Sequence, residues 1–170
     1  MPEEKILLDA TVCFLIRGGQ ILLALKTKKI GQGCWNGYGG GIEPGESIRS
    51  ATVRELFEES GVSALPSHLE KVAVIDFHNT KSDGTRFICR VHFFLLSRWT
   101  GDPKATEEMS EPTWFRESDL PLKEMMPADK IFIPALLAGK KIVGTAHYGP
   151  FQKELTQEPT FAEVSHFEGD

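Results

Sequence analysis

Three glutamates, Glu55, Glu58 and Glu59, stand at positions i, i+3 and i+4 of a stretch without glycine or proline. On a helix such positions are neighbours, and like charges there repel mildly unless something neutralises them. A hard divalent cation does so. Magnesium, with manganese as a substitute, takes oxygen ligands, keeps several waters and combines one or two carboxylates with substrate phosphates. A metal held in this way offsets phosphate charge, polarises a phosphoryl oxygen and helps to generate hydroxide from bound water. Just upstream, Gly31 to Gly45 holds seven glycines and one proline in fifteen residues, a composition suited to a loop that accommodates phosphate. Together they are chemically coherent with metal-assisted hydrolysis of a phosphate compound, although three close glutamates by themselves favour the plainer reading of a solvated acidic helix face.

The surrounding secondary structure is legible in outline. A helix is predicted from about Ser47 to Ser60, with Gly61 placed to end it as a left-handed cap. At about 100° per residue, Val53, Leu56 and Phe57 make an apolar side and the three glutamates an opposite, solvated one. Thr11–Ile16 and Gln20–Leu25 read as a hairpin turning at Arg17-Gly18-Gly19, and Gly31–Gly45 as a long loop with no regular element. Strands follow at Val72–Phe77 and Arg86–Leu96, separated by Lys81-Ser82-Asp83-Gly84, with a short one at Thr113–Phe115. Lys130–Ala138 reads as a second helix ended by Gly139, with Pro134 a weak point, and Lys141–Tyr148 as a last strand. Strands and helices mix without strict alternation, which makes the fold class α/β.

A chain of 170 residues with 41% hydrophobic content is the size of one ordinary domain and builds a core without disulfides. One domain over 1–170 is expected, with 157–170 polar and loosely patterned enough for a mobile tail. The net charge of −5 argues against a nucleic-acid polymer as partner, since phosphate contacts there come mainly from Lys and Arg. The start MPEEKILLD lacks a basic leader, and no apolar run approaches the ~20 residues that span a bilayer; no membrane association is expected, and the expected location is cytoplasmic. Cys13, Cys34 and Cys89 are widely separated and read as reduced and structural, and the five histidines form no ligand spacing.

Gly40, Glu46, Arg54-Glu55-Leu56, Glu58-Glu59, Gly61 and Val62 stand in the order G-x5-E-x7-R-E-U-x-E-E-x-G-U, where U is a bulky aliphatic. With every specified position filled, the segment resembles the signature of the Nudix hydrolases. That resemblance implies an α/β/α sandwich with a mixed β-sheet, a loop-helix-loop motif, and attack by metal-activated water on a phosphate of a nucleoside diphosphate linked to another group. By the same resemblance Glu55, Glu58 and Glu59 look like metal ligands, with Glu58 or Glu59 orienting or deprotonating the water. The resemblance also implies that a backbone carbonyl near Gly39 or Gly40 joins the coordination, that Arg54 orients the glutamates, and that Glu46 either supports them from behind or is itself linked to the metal.

A wider similarity runs from about residue 11 to 141, through Thr11, Lys26, the Trp35-Asn36-Gly37-Tyr38-Gly39-Gly40-Gly41 run, Trp114-Phe115 and Met125-Met126-Pro127-Ala128-Asp129. It resembles the MutT-type branch that hydrolyses oxidised purine nucleoside triphosphates, especially its eukaryotic members. The similarity implies that Asn36 and Asp129 read the nucleobase; an amide offers both donor and acceptor, and a carboxyl accepts when ionised or donates when protonated. Where that branch carries two adjacent acids and an aromatic, this chain has Ala128-Asp129 and Met126, a soft surface for a base face. Thr11 belongs to the same substrate set. Lys26 either reaches phosphate or is solvated. A further metal-contacting carboxylate is expected at Glu108 in preference to Glu111. The leading expectation is cleavage of a substrate such as 8-oxo-dGTP to nucleoside monophosphate and pyrophosphate. Another nucleoside diphosphate derivative, or a non-catalytic nucleotide-binding module, are the alternatives.

Overall fold

The computed structural model describes residues 6–28 and 30–167. Strands β1 (Asp9–Arg17), β2 (Gln20–Lys26), β3 (Trp35–Asn36) and β4 (Tyr38–Gly41) lead into helix α1 (Ile48–Ser60). Strands β5 (Glu70–Thr80), β6 (Arg86–Leu96) and β7 (Met109–Arg116) precede helix α2 (Asp129–Leu137), and β8 (Lys141–Pro150) and β9 (Thr160–Val164) complete the order. The strands run β3-β2-β1-β6-β5-β8-β9, with β4 on β1 and β7 on β2. The sheet is mixed: β1 with β6 and β5 with β8 are parallel pairs. The β1–β2 hairpin splays almost at once, with only Ile16 and Arg17 pairing across it. The freed edge of β1 receives β4 instead, from Ala10 to Cys13.

Alternation along β1 and β6 separates two apolar clusters. Phe14, Val91, Phe93 and Leu95 join Phe132, Ile133 and Leu136 of α2, whereas Cys13, Leu15, Phe94 and Leu96 join Leu56 of α1. Side chains of successive strand residues point to opposite faces, so the two helices sandwich the sheet. The three cysteines are unpaired, and burial pushes the Cys13 and Cys89 thiols up to about 12. Among the described residues no helix is long and apolar enough to cross a membrane.

Helix α1 starts as expected, with the Ser47 hydroxyl accepting from the Ser50 amide at 3.1 Å, and ends at Gly61 with φ of 78°. Its orientation differs from the expected one. Phe57 is 56% exposed, while Thr52, Leu56, Glu59 and Ser60 are buried. At 100° per residue Glu59 lies only about 60° from Leu56, close enough to follow it inward, and the Thr11 and Thr52 hydroxyls hydrogen-bond between β1 and the helix. The glutamates are therefore not one solvated row.

The glycine-rich stretch also differs, since it contains β3 and β4. Its glycines serve close packing: a side chain at Gly39 would put its Cβ 1.8 Å from the Thr11 carbonyl oxygen. The segment 157–170, expected to be a loose tail, includes β9, which pairs with β8 from Thr160 to Val164 and sets the Phe161 ring 5.7 Å from Phe132. An edge strand needs only one partner, and here one partly buried aromatic, too little pattern to stand out in a polar stretch. Helix α2 begins one residue earlier than expected and keeps Pro134 inside it.

Gly39→Ala is expected to cost roughly 1–3 kcal/mol or more, because the backbone of β1 cannot give way as a side chain would. Urea denaturation of the variant against the parent measures it.

Candidate active site

The β4 strand and helix α1 meet at the carboxylates. Arg54 is the hub: its Nε and Nη2 donate to the two Glu46 oxygens at 2.7 and 2.9 Å, and Nη1 donates to Glu55 at 2.8 Å. Nη1 also reaches Glu58 at 3.3 Å, and Nη2 donates to the Gly41 carbonyl at the end of β4 at 3.0 Å. The paired hydrogen bonds from Arg54 hold the Glu46 carboxyl below its ordinary range, and Glu46 and Glu55 in turn push the guanidinium further up. Glu46 therefore acts on the site through Arg54, and Arg54 ties both ends of the motif to the helix.

Gly40 and Gly39 receive the glutamates. A Cβ at Gly40 would lie 2.6 Å from Glu55 Cδ, so the missing side chain is the space the Glu55 carboxyl occupies. The Gly39 amide donates to Glu59 Oε1 at 2.8 Å. Burial raises the Glu55 carboxyl against the opposing pull of Arg54. Glu59 is pushed up to about 8, by burial first and then by the charges of Glu55 and Glu108, although the Gly39 amide works against this. Glu58, with 54% of its side chain exposed, is the open member of the set.

The turn before β7 supplies Glu108. Thr106 anchors that turn, its Oγ1 donating to the Glu59 carbonyl at 2.9 Å, and the Thr27 amide donates to the Glu108 carbonyl at 3.0 Å. Glu108 lines the cavity with Glu55, Glu58 and Glu59, and Glu111 does not. The β2–β7 pairing jumps from Leu23 opposite Thr113 to Leu25 opposite Ser110, and Glu111 has φ of 51°. This bulge of one extra residue obscures the correspondence when the sequence alone is read.

Among the described residues no group of three or more His, Cys, Asp or Glu side chains is already gathered as a ligand set. The donors nonetheless suit a hard divalent cation. All are carboxylate oxygens lining one cavity, and burial raises the Glu55 and Glu59 carboxyls, a strain that a cation would relieve.

One cavity of about 590 Å³ contains these acids and also the nucleobase candidates Asn36, Met126 and Asp129, a size within the range of small-molecule sites. Asn36 Oδ1 accepts from the Gly37 amide at 2.8 Å, which fixes the orientation of its amide. Asp129 is the first residue of α2, not its cap; Ala128 holds that position. It is buried, and burial pushes its carboxyl up to about 7. Lys26 lines the same cavity. Thr11 lines it too, but its hydroxyl is engaged with Thr52 and with the His92 carbonyl. Sequence reasoning missed Phe77, Asn79, Tyr148 and Gln152 on the cavity wall; only the alternation of β5 and β8 hinted at them, without saying which face is inward.

A glycine strand feeding a carboxylate-bearing helix, under a mixed sheet sandwiched by two helices, defines a Nudix-type hydrolase fold. Residues 7–136 match the NUDIX domain, and the chain belongs to the Nudix family. It is 36% identical over 134 residues to the oxidized purine nucleoside triphosphate hydrolase of Mus musculus, covering 79% of this chain and 82% of that protein. The Danio rerio protein of the same name is 34% identical over 134 residues, with the same coverage. The crystal structure of a MutT protein from Bacillus halodurans superposes with a TM-score of 0.73 at 24% identity, covering 91% of this chain and 97% of that one; it supports the fold.

Glu59→Gln keeps an acceptor for the Gly39 amide and removes the burial of an ionisable acid. Because the folded-state pKa of Glu59 is raised to about 8, the native protein loses stability as pH climbs from the unfolded value through about 8. In EDTA, thermal melts of E59Q are expected to lack that decline and to exceed the parent above neutral pH, while turnover collapses.

Proposed function

We propose that the protein hydrolyses oxidised purine nucleoside triphosphates, such as 8-oxo-dGTP, to the nucleoside monophosphate and pyrophosphate, and so clears damaged precursors from the nucleotide pool. The observation that carries this reading is the shared cavity: the glutamates of α1 and the Asn36–Asp129 pair line one space. The two animal relatives named for this activity support the choice of substrate.

In this reading Glu55, Glu58, Glu59 and Glu108 would hold magnesium, or manganese, with a backbone carbonyl of Gly39 or Gly40 beside them. The cation, when bound, supplies charge compensation for the phosphates and a more acidic water. Arg54 keeps Glu46, Glu55 and Glu58 in register, so that the carboxylates need not reorganise when substrate arrives. Glu58, the most exposed of the α1 glutamates, takes the proton of the attacking water. Lys26 meets phosphate charge from the β2 side, and Thr11 shapes the floor through its backbone and methyl group. At the other end Met126 packs on the base face, the Asn36 amide presents its NH2, and Asp129 in its protonated form donates to an acceptor on the purine edge.

Pyrophosphate release across 8-oxo-dGTP, 2-oxo-dATP, dGTP and dATP, each with magnesium or EDTA, tests the reading. A metal-dependent preference for an oxidised purine is expected; equal or absent turnover across the panel would overturn the substrate assignment. Glu58→Gln should lower kcat by roughly 10²–10⁴-fold, with the melting temperature nearly unchanged because the side chain is exposed.

The Asp129 carboxyl, raised to about 7, gives a second test with a defined sign. Its donor form is depleted as pH rises through about 7, so KM for the oxidised substrate should increase across that range. Asp129→Asn retains a donor at every pH and should flatten the profile; an unchanged slope in D129N would assign the titration elsewhere.

A further inference from the structure

The cavity extends past the nucleobase candidates along β5. Asn79 follows Phe77 on the same face of the strand, is 5% exposed, and lines the cavity with Gln152 from the turn after β8. Resting on the nucleotide-hydrolase reading above, we propose that Asn79 and Gln152 form an amide pair that contacts a neutral hydrogen-bonding group of the substrate, a nucleobase edge or a sugar hydroxyl, and thereby sets specificity.

Gln152 Nε2 donates to Asn79 Oδ1 at 2.8 Å. Each amide carries one acceptor oxygen and two donor hydrogens, so this bond leaves the Asn79 NH2 and the Gln152 carbonyl as a donor–acceptor couple. Reversing both amides also leaves one donor and one acceptor, with the roles of the two residues exchanged. Both residues line the cavity, so this couple is open to a bound molecule. A neutral couple suits a group that both accepts and donates, and has no charge to offer a phosphate.

The backbone supports the assignment independently. Phe151 and Gln152 have φ of 60° and 55°, two successive non-glycine residues in the left-handed region. Such conformations are costly and persist where the surroundings over-determine them, often at ligand sites. The Gly149 amide donates to the Glu154 carbonyl at 2.9 Å, Gln152 to Gly149 at 3.1 Å and Thr156 to His147 at 2.9 Å. These bonds hold the turn in the shape that delivers Gln152 to Asn79.

The pair is also joined to the Asp129 end by one continuous wall. The Phe77 ring stacks on Tyr148 at 5.9 Å, and the Tyr148 hydroxyl accepts from the Ala128 amide, next to Asp129, at 2.9 Å.

Steady-state kinetics of Gln152→Ala and Asn79→Ala, with thermal melts of both, tests the pair on 8-oxo-dGTP, 8-oxo-GTP and dGTP. Loss of one hydrogen bond to substrate should raise KM roughly tenfold with a much smaller change in kcat, a split that a merely structural role would not give. A KM increase confined to the ribonucleotide assigns the sugar 2′-hydroxyl, and one shared by ribo and deoxy forms assigns the base edge or the 3′-hydroxyl; either supports the proposal. Unchanged KM on every nucleotide in folded variants would overturn it while leaving the functional reading intact. Failure of the parent protein itself to hydrolyse any of the three would remove both.

Discussion

The structure turns on a conflict between like charges and its partial relief. Glu55 and Glu59 are drawn inward with α1 and share a cavity with Glu58 and Glu108, an arrangement that costs stability unless cations or hydrogen-bond donors answer it. Arg54 answers Glu55, Glu58 and Glu46 together, and the Gly39 amide answers Glu59. The remaining imbalance is visible in the raised Glu55 and Glu59 carboxyls. A bound divalent cation would remove it, so the same crowding that weakens the metal-free fold prepares the site to take one.

Everything around the carboxylates follows from making room for them. Backbone must approach the Glu55 carboxyl of α1 closely at Gly40 and the β1 backbone closely at Gly39, which only glycine permits at these two positions, and β4 must sit beside β1 to present that backbone. The hairpin therefore opens after Ile16 and Arg17 and yields its edge to β4. The sheet carries the second half of the site to the same cavity: β5 and β8 bring Phe77 and Tyr148, and the start of α2 brings Asp129. Strand pairing, more than any single side chain, brings the α1 glutamates and Asn36, Met126 and Asp129 to one cavity.

The sequence carried the motif and the order of most elements, because the periodicity of α1, β5 and β6 is local. It did not carry the orientation of α1. A wheel drawn from residue type sets Phe57 inside and Glu59 outside, and tertiary contacts reverse both. The glycine run reads as a loop because glycine composition signals flexibility as readily as close packing, and only the position of β1 distinguishes them. Glu108 and Glu111 are separated by the β7 bulge, which depends on pairing with β2. Asp129 reads equally well as a helix cap or a pocket acid until burial is known. The Asn79–Gln152 pair joins residues 73 positions apart and has no local signature.

In the proposed function one cavity holds a divalent cation and a purine base together. A crystal structure with manganese and 8-oxo-dGMP, with the metal located by anomalous scattering, tests it most directly. Manganese is expected at Glu55, Glu58, Glu59 and Glu108 and the base against Asn36, Met126 and Asp129. Manganese bound elsewhere, or a base seated away from Asn36 and Asp129, would contradict it.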